Sequence, residues 1–153
     1  MIKKILFYIG VLFNTALVAQ NFGNEWINYN QKYYELKVVE DGVYRISFAN
    51  LIGAGVPVNT LIPINIQLYG KGAQVPIYIE GEADNTFNAS DYIEFYGEKN
   101  DGWLDASLYK GVSNQPNPFY SLINDTATYY LTISNTSNNL RYTTETANDF
   151  GSF

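Results

Sequence analysis

From residue 33 to residue 134 the chain is written in short runs in which apolar and polar side chains alternate. In 33–39, Tyr34, Leu36 and Val38 face one way and Glu35 and Lys37 the other, which is the period of a half-buried strand. In 43–48, Tyr44 and Ile46 oppose Arg45 and Ser47. Between these runs lies Glu40-Asp41-Gly42, and an Asp-Gly pair between two alternating runs predicts a hairpin. Residues 48–54 predict one short helical turn, ended by Gly53 and Gly55 and blocked by Pro57. Residues 65–69 form a strand closed by Gly70-Lys71-Gly72, and 75–82 the next, with Pro76 at a strand start or on an edge. A polar loop at 84–90 leads to a strand at 92–96 that Gly97 stops. Asn100-Asp101-Gly102 is a further turn, 103–110 a loop with one helical turn, and 113–118 a loop containing Pro116 and Pro118. A last strand covers 128–133, and 135–139 is polar and low in complexity.

At least six short strands at regular spacing, with no long amphipathic helix and no fixed-period repeat, predict an all-β fold. The expected architecture is an antiparallel β-sandwich, jelly-roll-like, with at most one short helix. A chain of 153 residues makes one domain of ordinary size. Its expected divisions are a leader at 1–19, an N-terminal arm at 20–32 anchored by Trp26 and Ile27, the sandwich at 33–134, and a polar segment at 135–153. That last segment reads as the start of a continuation, because Phe150 and Phe153 are apolar with nothing after them to pack.

The leader changes the setting. Lys3 and Lys4 precede an almost unbroken apolar stretch, 5–18, and Ala19 offers a small residue before Gln20. This is the layout of a secretory signal peptide, too short and wrongly flanked to span a membrane. It implies an exported protein, in the periplasm, on the outer-membrane surface or outside the cell, touching membrane only through that peptide. The chain has no cysteine, so stability rests on the core, helped at most by a bound ion. It has no histidine either, and losing both removes most nucleophile–base pairs and most zinc sites. A net charge of −6 without a basic run argues against nucleic acid as a partner.

Within these limits three patterns carry chemistry. Residues 80–91 can be counted as a twelve-residue calcium loop, with oxygen side chains at positions one, three, five, nine and twelve: Glu80, Glu82, Asp84, Asn88 and Asp91. Calcium takes about six to eight oxygens in flexible geometry. Asn85 stands where such loops prefer glycine, and strands rather than helices flank the segment, so a polar loop capping its own backbone is the competing reading. Glu40 with Asp41, and Glu94 with Glu98, are carboxylate pairs of the type glycosidases use, but with no cleft legible they read as turn and surface residues. The 14 tyrosines exceed what one core needs; such side chains either line sandwich faces or build a recognition surface. Asn88, Asn124 and Asn135 begin N-glycosylation acceptor patterns, which mark exposed segments.

Four runs together resemble a known family. They are Tyr34-Glu35-Leu36-Lys37-Val38-Val39-Glu40-Asp41-Gly42-Val43-Tyr44-Arg45-Ile46, then Ile64-Asn65-Ile66-Gln67-Leu68-Tyr69-Gly70, then Phe87-Asn88-Ala89-Ser90-Asp91-Tyr92-Ile93-Glu94-Phe95-Tyr96-Gly97, and Tyr129-Tyr130-Leu131-Thr132-Ile133. In order and spacing they look like the N-terminal β-rich domain of gingipain-like cysteine peptidases of Bacteroidetes, including the type IX secretion sortase. The resemblance covers 33–134. It implies an accessory domain ahead of a caspase-like peptidase domain that carries the catalytic Cys and His, and no position here matches either residue. The implied partners are that downstream domain or secretion-system components. Asp125-Thr126-Ala127 is similar to the short O-glycosylation motif of these bacteria. The expected function is therefore a non-catalytic interaction domain of an exported gingipain-like protein; a standalone secreted carbohydrate-binding or adhesion module is the alternative.

Overall fold

The computed structural model describes residues 23–110, 112–117, 119–136 and 139–144. The leader at 1–19 lies outside them, as do Phe150 and Phe153. Among the described residues there are seven strands: β1 (Tyr33–Val38), β2 (Gly42–Ser47), β3 (Ile66–Gly70), β4 (Ala73–Val75), β5 (Tyr78–Ile79), β6 (Tyr92–Gly97) and β7 (Ala127–Ile133). One short α-helix, α1 (Phe48–Gly53), accompanies them among the described residues. The strands make two antiparallel sheets, β1-β7-β3-β4 and β2-β6-β5. The all-β sandwich expected from the alternation is the fold found.

Register follows from the same alternation. Leu36 lies opposite Tyr129, and Leu68 opposite Leu131, in the four-stranded sheet. Ile46 lies opposite Ile93, and Tyr44 opposite Phe95, in the other. These side chains meet between the sheets in one core with Val38, Ile66, Ile77 and Ile79. Each fully buried aliphatic or aromatic residue contributes about 1.5–3 kcal/mol relative to exposure. A slip of one residue in β1 would turn Glu35 and Lys37 into that core, so the register is strongly specified.

The expected helical turn is α1, and its ends explain its length. Ser47 caps it: Ser47 Oγ accepts from Asn50 N (3.2 Å) while Asn50 Oδ1 accepts from Ser47 N (2.9 Å). At its end Gly55 N donates to Ile52 O and Val56 N to Leu51 O, with Gly55 at φ +74°, which closes the helix in a Schellman motif. Leu51 and Val56 are both buried and join the core.

Two expected connections differ. Asp41-Gly42 does not close a hairpin: β1 and β2 belong to different sheets, and Gly42 lacks the positive φ that a type I′ turn requires. Residues 39–41 instead cross from one sheet to the other. The Tyr44 hydroxyl donates to Glu40 O (2.8 Å), and Asp41 Oδ1 accepts from Lys99 N (2.8 Å), which fixes the crossing. The apolar faces of β1 and β2 are satisfied across the sandwich, something a local turn signal does not report. The tight two-residue hairpin is at Lys71-Gly72, with both residues at positive φ (50° and 79°) between paired Gly70 and Ala73.

The single strand expected over 75–82 is two. Pro76, which has no N–H to donate, separates β4 in one sheet from β5 in the other. Ile77, fully buried at this corner, pairs with the C-terminal side of the chain: Tyr142 N donates to Ile77 O (3.1 Å). Arg141 holds that segment down, through Nε to Glu82 (2.7 Å), Nη1 to Ile66 O (3.1 Å) and Nη2 to Pro63 O (3.0 Å). Of the polar segment beyond 134, residues 139–142 thus form a strap over the sandwich.

Candidate interaction surface

The connection from β6 to β7 builds the most distinctive surface. Its base is tied at both limbs: Asn100 N donates to Asp125 O (3.0 Å) and Asn100 Nδ2 to Asn124 O (3.0 Å). Lys71, from the β3–β4 hairpin, reaches into it and bonds Glu98 (3.0 Å) and Asp101 (2.9 Å). Partial burial works against the charged ammonium, but the hydrogen bonds and charges of the two carboxylates outweigh it and raise the Lys71 pKa. Burial likewise opposes the Asp101 carboxylate, and Lys71 with the Trp103 N–H overcomes it and lowers its pKa.

Further out, the limbs are clasped by Asp105. This buried carboxylate accepts from Ser121 Oγ (2.8 Å) and Leu122 N (2.9 Å) through the same Oδ2. Gly102 lies against them; a β-carbon there would stand 3.0 Å from Tyr120 O. The clasp brings the limb that carries Trp103 and Leu104 against the limb that carries Tyr120, Leu122 and Ile123. Leu104, Leu108, Phe119, Leu122 and Ile123 are each 66–71% exposed. Large apolar side chains at that exposure, gathered in one loop, mark an interaction surface more often than an ordinary face. The cation of Lys99 sits over the Tyr120 ring, 4.2 Å from its centroid.

Beside this patch runs a cleft of about 510 Å³ lined by Trp26, Lys71, Asn100, Trp103, Thr128 and Tyr130, among others. Trp26, the anchor of the N-terminal arm, stacks on Tyr69 (5.1 Å), lies 5.4 Å from Tyr130 and meets Tyr33 edge-on at 5.7 Å. Tyr33, Tyr69 and Tyr130 come from β1, β3 and β7 and share the outer face of the four-stranded sheet, so the arm covers part of that face.

The tyrosines therefore divide between roles. Tyr129 is buried and its pKa is raised by that burial. Tyr44 stacks on Phe95. On the outer face of the three-stranded sheet, Arg45 lies over Tyr92 (3.9 Å) and bonds Glu94 (2.9 Å), with Tyr78 and Tyr96 exposed beside them.

The five residues counted as a calcium loop are placed as follows. Glu80 accepts from the Tyr78 hydroxyl (2.5 Å), and that hydrogen bond is the main reason the Tyr78 pKa is pushed up to about 12. Glu82 is turned to Arg141. Asp84 caps Thr86 N (2.8 Å) and accepts from Asn88 Nδ2 (3.2 Å). Asp91 is buried and accepts from Asn88 N (2.6 Å). Asp84, Asn88 and Asp91 are thus linked with one another, while Glu80 and Glu82 face other partners. Asn85 adopts the left-handed conformation (φ 59°). Among the described residues no group of three or more acidic side chains stands close enough to hold a metal ion. The carboxylate pairs are also separately engaged: Glu94 by Arg45, Glu98 by Lys71 and Asp41 by Lys99 N. Asn88, Asn124 and Asn135 are exposed.

The patch is not among the elements the sequence predicts, which there are a loop with one helical turn at 103–110, found as the 3₁₀ turn Asp105–Leu108, and a loop at 113–118. A signal was present: Phe119, Tyr120, Leu122 and Ile123 are apolar, lie between turn residues and lack strand alternation. That Trp26 and Trp103 line one cleft had no local signal. No family model matches this chain, and neither a curated protein nor a solved structure does so.

Proposed function

We propose that this chain is a non-catalytic accessory domain of an exported gingipain-like protein, and that it docks on the peptidase domain of the same parent through the clasped 103–123 loop. The observation that supports this reading is the exposure of Leu104, Leu108, Phe119, Leu122 and Ile123 on a loop whose limbs are held together by Asp105. A disordered apolar loop would lose conformational entropy on binding; a clasped one has already lost part of it, so more of the burial energy appears as affinity. A stable interface needs about 1,000 Å² or more with a few well-packed apolar anchors, which residues of this kind supply. The chain has no cysteine and so carries no cysteine-peptidase chemistry of its own. The four resembling runs supply the identity of the partner, a caspase-like peptidase domain encoded in the same reading frame.

The test is association between this chain and that domain by analytical ultracentrifugation. Leu122→Asp with Ile123→Asp should weaken it by about tenfold or more, at least 1.4 kcal/mol. A reading frame without such a domain, or binding indifferent to these substitutions, overturns the proposal. Binding to a secretion-system component through the same residues, in place of the peptidase domain, would overturn the choice of partner.

A further inference from the structure

The chain has two tryptophans, far apart in sequence, and both line the cleft beside the docking patch. We infer that this cleft is a saccharide-binding site that takes one or two neutral sugar residues of a glycan. The inference does not need the docking role, although Trp103 and Leu104 stand in both surfaces.

Size comes first. About 510 Å³ falls within the range of small-molecule sites, roughly 300–1,000 Å³. The walls come next. A sugar ring has apolar C–H faces and a rim of hydroxyls, so its site needs flat aromatic surface next to hydrogen-bonding groups. Trp26 is held against Tyr69 and Tyr130 and is therefore preorganised. Trp103 joins from the loop and is half exposed, free to bury surface on a ligand.

The polar groups fit hydroxyls. Thr128 Oγ1 accepts from Lys37 Nζ (2.9 Å), which leaves its own O–H to donate. Asn100 uses one N–H on Asn124 O and accepts at Oδ1 from Gly102 N, which leaves a second N–H and a lone pair. Charge excludes the obvious competitors. Lys71, the cation on the wall, is already engaged by Glu98 and Asp101, so a phosphate or carboxylate would find it compensated. An apolar peptide side chain would leave the threonine and amide groups unpaired once water is displaced, which costs about 1–3 kcal/mol per group.

Because both tryptophans line the cleft, intrinsic fluorescence of the full chain reports on it selectively. The probes are cellotriose, maltotriose, mannotriose and chitotriose, with tri-galacturonate as the anionic control and acetyl-Leu-Phe-amide as the peptide control. At least one neutral trisaccharide should change the emission saturably. Trp103→Ala should raise its Kd about tenfold or more. Trp103→Phe, which keeps an aromatic face, should retain most of the binding and guards against a loop that has merely misfolded. Leu122→Asp with Ile123→Asp should leave it intact. The inference is overturned if no neutral trisaccharide in the panel changes the emission, if Trp103→Ala binds as tightly as the parent, or if the peptide or tri-galacturonate binds more tightly than every neutral sugar.

Discussion

Gly81 enters the 82–84 turn at φ +82°, and a β-carbon on it would stand 2.5 Å from the Asp91 carboxylate. Asp91 is buried and caps Asn88 N, so it has nowhere to retreat without giving up that bond. Two penalties therefore coincide in Gly81→Ala, a strained left-handed alanine and a displaced buried carboxylate. Together they should lower stability by about 2–4 kcal/mol in urea denaturation. Gly53 makes the internal contrast. It lies in α1 without a positive φ and with nothing within 4 Å of an added β-carbon. Gly53→Ala should therefore be neutral or stabilise by up to about 1 kcal/mol. Equal effects at the two sites would show that the Asp91 contact is not what makes Gly81 necessary. At this scale the sequence was informative where the chemistry is local: the loop whose Asp and Asn side chains cap their own backbone was readable in 84–91, and Asn85 takes the left-handed turn that asparagine tolerates. It was uninformative where a side chain answers to a distant partner, as Glu82 does to Arg141.

Strands were legible as elements and much less so as neighbours. Alternation says which face of β1 is buried, but β1 pairs with β7, from the far end of the described chain, rather than with β2 beyond Asp41-Gly42. Pairing is decided by which apolar faces can be covered together, and that sum runs over the whole domain. Pro76 was readable as punctuation, and its consequence, a change of sheet between β4 and β5, was not. The strap at 139–142 is the element least expected from a polar, strand-poor segment; Asn139 bonds Gln67 and Ile64 O, the Tyr142 hydroxyl accepts from Tyr96 N, and Arg141 makes the widest set of bonds. Arg141 serves Glu82 and the backbone oxygens of Ile66 and Pro63, and both ion-pair partners are less than a third exposed. Charge-assisted hydrogen bonds of this kind are worth about 1.5–3 kcal/mol each when a partner is removed. Arg141→Ala should therefore lower the urea midpoint by the equivalent of about 2–3 kcal/mol. Arg141→Lys should recover only part of the loss, because an ammonium cannot span three acceptors with a planar fork. A double-mutant cycle with Glu82→Gln isolates the ion pair from the carbonyl contacts. If Arg141→Ala unfolds at the parent's midpoint, the strap is held instead by the Ile77 pairing and the Asn139 and Tyr142 side chains.

Over the whole molecule, two properties pull in opposite directions. The chain carries a net charge of −6, which keeps copies apart, and it presents an apolar loop, which draws them together. The core of the sandwich was foreseeable because burial with period two is written into β1, β2 and β6. The loop was not, because Leu104, Leu108, Phe119, Leu122 and Ile123 become a surface only through a clasp made by Asp105, Ser121 and Leu122, and no periodicity encodes it. Ionic strength separates the two pulls. Repulsion between like-charged molecules is screened within about 8–10 Å at physiological salt and over shorter distances above it. Apolar attraction is not weakened by the same addition, and kosmotropic salts strengthen it. If the loop is the adhesive surface, weak self-association of the isolated chain should rise with added salt, and sedimentation at several salt concentrations measures it. Leu122→Lys with Ile123→Lys should remove the effect by breaking the apolar surface, although it also brings the net charge closer to zero. Association that instead dissolves as salt is added would place its origin in ion pairs such as those around Arg45 and Glu94, and would count against the loop as the docking surface.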